Sequence, residues 1–342
     1  MNINRIILLF LLLFIPFSFF SAQVTSSDDK VFLLKYKFVR DDILKYKMNI
    51  ESTIDAIIGG EEQRAKNKTS FVWTQGVKDV DKIGTAQIET TYRSVKANIN
   101  VGFMSNIYYD STEGDSDKNQ SMLSASFNSI IGKNFIIDVA KDGKVLSVSG
   151  FKDILDGIIT NLPGGPMRLS MADQFSRFYN DKTMTGLIQN GFQILPNEEI
   201  KIGDSWSRSM IMPTPITLIK IKSIYTLKEV RYLKGKRSAV ISIDTKIESV
   251  SDKEMEILDR EEGGTDFLIN IKNGHGDGIF YFDIDKGRVV ESSITAEFDV
   301  SIKKIEKDIA YLDSSRDDKS LGLNTAVDMK QNIKTNISME LL

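Results

Sequence analysis

The segment Ile294–Ile302 has the sequence ITAEFDVSI, and this stretch decides the fold class. Apolar residues such as Ile294, Phe298 and Ile302 alternate with polar ones along it. Successive side chains of a strand point to opposite faces, so this period of two places one row against a core and the other in solvent. The pattern is typical of a half-buried strand in an antiparallel sheet.

The same alternation recurs elsewhere, at 239–247 and near the end of the sequence at 327–341. Between apolar runs, Asp142-Gly143 and Lys286-Gly287 are short hairpin signals. We count about a dozen such strands. The predicted fold is therefore mainly β, as a strongly curved antiparallel sheet or an open half-barrel.

A helical insert interrupts the strands at 151–191. An apolar stripe at helical spacing begins it, Pro163–Pro166 breaks it, and Asp181–Gly191 predicts a further short helix. The stripe consists of Phe151, Ile154, Leu155 and Ile158, and the segment between the break and the last helix adds Met171 and Phe175 on one face.

The two β-rich halves, 31–150 and 200–342, resemble each other in the order of their signals. Arg40–Tyr46 and Ile202–Arg208 each open a strand, and in each half an apolar strand that begins with Phe and ends with Asp precedes a glycine turn: Phe135–Asp138 before Gly143, and Phe280–Asp283 before Gly287. This indicates an internal duplication within one β-rich domain over 23–342, built as one continuous sheet so that few edges are left unprotected. Two separate β domains joined by the insert are the alternative.

Residues 1–22 have the order of a secretory signal peptide: Arg5, then the apolar run Ile6–Ile15, then Ser21-Ala22. The sequence contains no cysteine, which excludes disulfides and thiol chemistry. We expect an exported protein of the bacterial periplasm or cell surface. It would be anchored if the segment is not cleaved.

The net charge of −3 is spread over interspersed acidic and basic residues, so we expect no nucleic-acid partner. No window after the signal approaches the roughly 20 apolar residues of a membrane span. We therefore expect no stable membrane span once the signal is removed, and no cofactor.

Gly203-Asp204-Ser205-Trp206, together with the later hairpin Phe282–Gly287, resembles a family of exported bacterial proteins of unknown function. The layout of a curved sheet with short helices is similar to the LolA-like lipoprotein carriers. That second resemblance implies a half-barrel that holds acyl chains, and neither resemblance implies a catalytic residue.

Residues with possible chemistry have simpler interpretations. His275, the only histidine, lies among glycines at Asn273–Gly278, which predicts a turn. Asp283–Gly287 looks superficially like a calcium loop but lacks the remaining ligands, so we predict a hairpin turn. The acidic stretch Asp110–Asp117 predicts a solvated loop. We expect no catalytic and no metal site.

The expected function is non-enzymatic binding of a lipid or other apolar or amphipathic ligand on the concave face of the sheet. The alternatives are a structural or adaptor module that binds another envelope protein, and a hydrolase that uses carboxylates or serine. The aromatic residues could equally fill the core. The candidate ligand-binding residues are Phe151, Ile154, Leu155, Ile158, Met171, Phe175, Trp73 and Trp206.

Overall fold

The computed structural model describes residues 30–58, 60–100, 107–113, 124, 127–160, 181–213, 218–250, 267–304 and 328–342. The predicted signal peptide at 1–22 lies outside these residues, as do Met171 and Phe175 of the insert.

The described elements are mostly strands, and they follow the chain in a simple order. The strands of the first half are β1 (Ile43–Ile58), β2 (Glu61–Val80), β3 (Ala86–Ile99), β4 (Ile107–Asp110), β5 (Asn134–Val139) and β6 (Val145–Ser149). Two helices follow, α1 (Phe151–Thr160) and α2 (Asp181–Phe192). The second half contains β7 (Ser205–Pro213), β8 (Leu218–Leu233), β9 (Lys236–Ser249), β10 (Phe267–Asp283), β11 (Arg288–Lys304) and β12 (Asp328–Leu341).

All twelve strands belong to one sheet with the order β6-β5-β3-β2-β1-β12-β11-β10-β9-β8-β7, and β4 pairs with β3. Every neighbouring pair is antiparallel. The two halves join where β1 pairs with β12 from Tyr46↔Leu341 to Ile58↔Met329. This confirms the predicted mainly β class and the single antiparallel sheet.

The sheet is strongly curved, and α2 shows this directly. Helix α2 contacts both β6 and β7, which are the two edge strands of the sheet. Ten strand spacings of about 4.8 Å would hold the two edges of a flat sheet about 48 Å apart, whereas a helix is only about 10 Å wide. The sheet therefore curls until its edges approach each other across one short helix.

A belt of buried hydroxyls crosses the inner face of the curled sheet. Ser52 and Thr335 are 3.1 Å apart between their hydroxyl oxygens, and Ser223 and Thr245 are 2.9 Å apart. Ser52 follows Ile50 and precedes Ile54 on the same face of β1, and these two isoleucines belong to different apolar clusters. The belt thus divides the interior into two apolar regions, and its hydroxyls satisfy one another.

The prediction of a turn at Asn273–Gly278 is wrong, because these residues lie inside β10. The pairing of β10 with β11 shifts register between Lys272 and His275. A side chain at Gly274 would collide with the carbonyl of Ile247, and glycine is required there because two backbones approach closely. His275 itself is exposed, with its Nδ1 3.1 Å from the carbonyl oxygen of Asn273.

The Asp283–Gly287 segment is a hairpin turn, as predicted. The Oδ1 atom of Asp283 accepts hydrogen bonds from the amides of Asp285 and Lys286, both at 2.9 Å. The amide of Gly287 donates to the Asp283 carbonyl at 2.8 Å. The carboxylate therefore stabilises the turn itself.

Both halves begin with the same backbone arrangement. Asp41 and Gly203 have positive φ angles of 68° and 95°. The amide of Asp41 donates to Val77 O and the carbonyl of the next residue accepts from Val77 N; Gly203-Asp204 does the same with Leu227. Asp41 and Gly203 are the second residues of Arg40–Tyr46 and Ile202–Arg208, the two segments that resemble each other in sequence.

Candidate ligand-binding cavity

A cavity of about 210 Å³ lies inside the curled sheet, in the apolar region beneath α2. Strands β1, β2, β3 and β5 form one wall, α2 and the segment before β1 form another, and the start of β11 closes the side. Most of its lining is apolar: Phe38, Leu44, Met48, Val77, Ile88, Phe135, Ile137, Leu187, Ile188, Phe192, Ile194, Val289 and Met339.

Strand alternation explains why these side chains face the cavity. Leu44, Tyr46 and Met48 are two residues apart on β1, so they lie on one face. The register pairs Tyr46 with Trp73 of β2, and their rings stack with centroids 5.6 Å apart. Cross-strand aromatic pairs of this kind stabilise a sheet and give the wall a flat, rigid surface.

Helix α2 covers the cavity with Leu187 and Ile188, and a single glutamine fixes it to the edge of the sheet. The Oε1 atom of Gln189 accepts from the amide of Val145 at 2.8 Å, and its Nε2 donates to the carbonyl of Gly143 at 3.0 Å. Both backbone groups belong to the β5–β6 hairpin at the edge. The side chain therefore takes the place of a neighbouring strand there.

The segment before β1 crosses the same end of the molecule. Tyr36 is buried, stacks on Phe38 and meets Phe192 of α2 edge to face, with centroids 5.9 and 5.5 Å apart. Lys37 anchors the segment to the β10–β11 turn, because its amide donates to Gly287 O at 3.2 Å.

On the opposite edge, β7 holds the chain that leaves α2. The indole of Trp206 donates to the carbonyl of Ile194 at 2.9 Å. The guanidinium of Arg208 donates to the carbonyls of Gln193 and Leu195 at 2.9 and 2.6 Å. Together with Gln189 on the other side, these bonds fix α2 between the two edges of the sheet.

The phenols in the cavity wall are neutral. Burial raises the pKa of each of the three phenols, Tyr36, Tyr46 and Tyr92, above the ordinary value for tyrosine. The hydroxyl of Tyr46 donates to Val289 O at 3.3 Å. The tyrosines therefore give the cavity hydrogen-bonding groups but no negative charge.

Two residues of the lining carry a buried polar atom with no hydrogen-bond partner among the described residues. They are Thr90, through Oγ1, and Arg288, through Nε. Thr90 is 4% exposed, and no described carboxylate forms an ion pair with Arg288. Buried polar atoms are usually paired, so such atoms in a cavity wall indicate where a ligand or a water could bind.

Of the residues predicted to bind a ligand, Trp73 lines this cavity. Phe151 packs edge to face on Phe135, whose ring is part of the wall, with centroids 5.9 Å apart. Ile154 and Leu155 are buried, and Ile158 packs on the same apolar cluster as Phe151.

Trp206 lies outside the cavity and stacks on Tyr225 at 5.7 Å. Met171 and Phe175 lie outside the described residues. The structure thus brings Trp73 to the cavity and places the α1 residues behind its wall. A role in ligand binding stays a prediction for all of these residues.

Sequence reasoning missed several lining residues, among them Tyr36, Met48, Ile88 and Leu187. The alternation along β1 and β3 would have placed Met48 and Ile88 on an inner face. Nothing in the sequence shows that Tyr36 and α2 meet them there, because the contacts join segments far apart in the chain.

No cluster of three or more side chains suited to metal binding is present within the described ranges. None of the described helices is long and apolar enough to cross a membrane.

The matched region of a known family includes one part of this cavity, formed by β3, β5 and α2, whereas β1, β2 and Arg288 lie outside it. Residues 84–287, from the turn before β3 to the β10–β11 hairpin, match the family of unknown function DUF6263. The chain belongs to this family. The predicted resemblance to a family of unknown function is thereby confirmed, whereas the similarity to LolA-like carriers stays a prediction.

The search of curated proteins found no match. Among solved structures, lipovitellin, in a structure described by its lipid–protein interactions, aligns with 90% of this chain at 8% identity and a TM-score of 0.40. The chain spans a quarter (25%) of the length of that lipovitellin chain. Pseudomonas aeruginosa OccK5 (OpdH) aligns with 89% of this chain and 99% of its own, at 8% identity and a TM-score of 0.18. At these TM-scores neither likeness carries an inference about function.

Proposed function

We propose that this member of DUF6263 is an exported, non-enzymatic protein that binds an apolar or amphipathic small molecule in the cavity beneath α2. The observation that supports this most is the cavity itself, about 210 Å³ in volume and lined mainly by apolar side chains. Ligand-binding sites are typically concave and mostly apolar with a few polar groups, and this cavity has that character.

The volume limits the ligand. An apolar cavity of about 150 Å³ accommodates benzene, and pockets for drug-sized molecules begin near about 300 Å³. A cavity of about 210 Å³ lies between these, so it suits a short acyl chain or one end of a longer one. Each buried methylene contributes about 0.8 kcal/mol, so a chain of several carbons would bind measurably.

The two tryptophans of the chain make the proposal testable without a label, because Trp73 lines the cavity and Trp206 does not. In a Trp206→Phe variant, Trp73 is the single reporter. We expect titration with 1-octanol to change its emission in a saturable way and to raise Tm, because a ligand that binds only the folded state stabilises it.

The matched control is Trp73→Phe, in which Trp206 remains stacked on Tyr225 away from the cavity. We expect its emission to show no saturable change. If Trp73 does not respond either, or if both tryptophans respond alike and Tm falls, octanol acts as a nonspecific solvent and the proposed function is wrong.

A further inference from the structure

We propose that the cavity selects an anionic amphiphile, and that Arg288 pairs with the carboxylate of a fatty-acid-like ligand. This deepens the proposed function and rests on it.

The charges of the cavity wall point to Arg288. The charged lining residues are Lys37, Asp42 and Arg288. Lys37 and Asp42 are exposed, and the Nζ of Lys37 already donates to the carbonyls of Ile284 and Asp285, both at 3.1 Å. Arg288 is half-buried, and its charge has no ion-pair partner among the described carboxylates. Arg288 is thus the cation that is available to pair with an anionic ligand, at the boundary between the apolar cavity and its mouth.

The surroundings of Arg288 make an unpaired guanidinium costly. Its Nε is buried without an acceptor. A buried donor that loses its hydration without gaining a hydrogen bond has a free-energy cost. Burial raises the pKa of Tyr46, and the positive charge of Arg288 opposes that rise. Arg288 and Tyr46 both line the cavity, so the half-buried guanidinium lies at its wall.

A carboxylate matches this group best. The planar guanidinium presents parallel N–H donors that bind both oxygens of one carboxylate, and charge-assisted bonds of this kind are stronger than neutral ones. The apolar walls formed by Met48, Ile88 and Ile188 would then hold the chain of the ligand. The protein as a whole has a net charge of −3, so attraction of an anion depends on this local cation.

The test compares octanoate with 1-octanol, which has a chain of the same length and no charge, using the emission of Trp73 in the Trp206→Phe background. We expect octanoate to bind about tenfold or more tightly than octanol. Arg288→Met should remove this preference while octanol binding persists. Arg237→Met is the matched control, because Arg237 pairs with Asp285 outside the cavity at 3.2 Å, and we expect it to keep the preference.

Arg288→Lys retains the charge without the planar donors, and we expect an intermediate preference for octanoate. If the two ligands bind the parent protein equally, or if Arg288→Met still prefers octanoate, the role of Arg288 is wrong while the proposed function stands. If neither ligand binds, both are wrong. The comparison of the two ligands on the parent protein decides the matter even if Arg288→Met fails to fold.

Discussion

Thr90 is a buried polar residue in the cavity wall formed by β3, and its hydroxyl has no partner among the described residues. The hydroxyl of Thr335, by contrast, is buried in the belt and lies 3.1 Å from that of Ser52. A buried threonine hydroxyl is therefore unpaired at Thr90 and paired at Thr335.

We expect Thr90→Val to raise stability, because the substitution removes an unpaired hydroxyl and keeps the shape of the side chain. The gain should be about 1 kcal/mol or more. Thr335→Val should lower stability by a similar amount, because it leaves Ser52 unpaired. Urea denaturation of both variants measures this. A loss of stability in Thr90→Val would show that the hydroxyl has a partner, such as a bound water.

Gly287 is a second residue whose environment decides its role. It has a φ of 61°, and a Cβ built on it would lie 2.7 Å from the carbonyl oxygen of Lys35. Gly235, in the turn between β8 and β9, has a φ of 75° with nothing within 4 Å. Both glycines have a left-handed backbone conformation, but only Gly287 lies close to another segment of the backbone.

We therefore expect Gly235→Ala to cost about 1 kcal/mol from the left-handed backbone alone. Gly287→Ala should cost about 1–3 kcal/mol more, because the segment that carries Tyr36 must move away. Thermal unfolding of the two variants measures the difference. Equal losses would mean that the segment before β1 does not press on the hairpin.

At the scale of elements, one side chain of α2 forms the hydrogen bonds that join this helix to the β5–β6 edge of the sheet. Gln189 satisfies the amide of Val145 and the carbonyl of Gly143, which would otherwise be free at the sheet edge. Gln193, one turn later, is exposed, and its side chain makes no hydrogen bond with any described residue. The two residues allow a matched comparison.

We expect Gln189→Ala to destabilise the protein by about 1–3 kcal/mol, because two backbone groups lose their partner. Exchange of the Val145 amide should accelerate, and Gln193→Ala should change neither quantity. Hydrogen exchange followed by mass spectrometry measures this. Unchanged protection of Val145 in Gln189→Ala would mean that the Gln189 side chain does not hold α2 at this edge of the sheet.

The sequence predicts local elements well and their surroundings poorly. The hairpins at Asp142-Gly143 and Lys286-Gly287 could be predicted because the turn chemistry is local. The turn predicted around His275 is wrong because glycine has a different purpose in β10, namely room for the backbones beside Gly274. Helix α1 has the clearer apolar stripe, yet α2 covers the cavity. The reason is the curvature of the sheet, which brings both edge strands into contact with α2.

At the scale of the whole molecule, the cavity arises from contacts between distant parts of the chain. Its wall combines Phe38, Ile88, Ile188 and Val289, which are far apart in sequence. The pairing of β1 with β12, the first and last of the described strands, joins the halves into one sheet. Alternation predicted which faces are apolar, but the curvature of the sheet decides which apolar residues face one another. For this reason, of the predicted ligand-binding residues that the structure describes, only Trp73 lines the cavity.

The measurement that tests the central claim most directly is native mass spectrometry of the protein purified from its own host, without detergent. We expect a second species whose added mass is that of one amphiphile. Leu44→Trp, which places an indole in the cavity, should lose that species, whereas Ile43→Trp should retain it, because Ile43 lies on the opposite face of β1 and is 73% exposed. A protein that shows only its own mass, or an adduct equally abundant in both variants, would contradict the account.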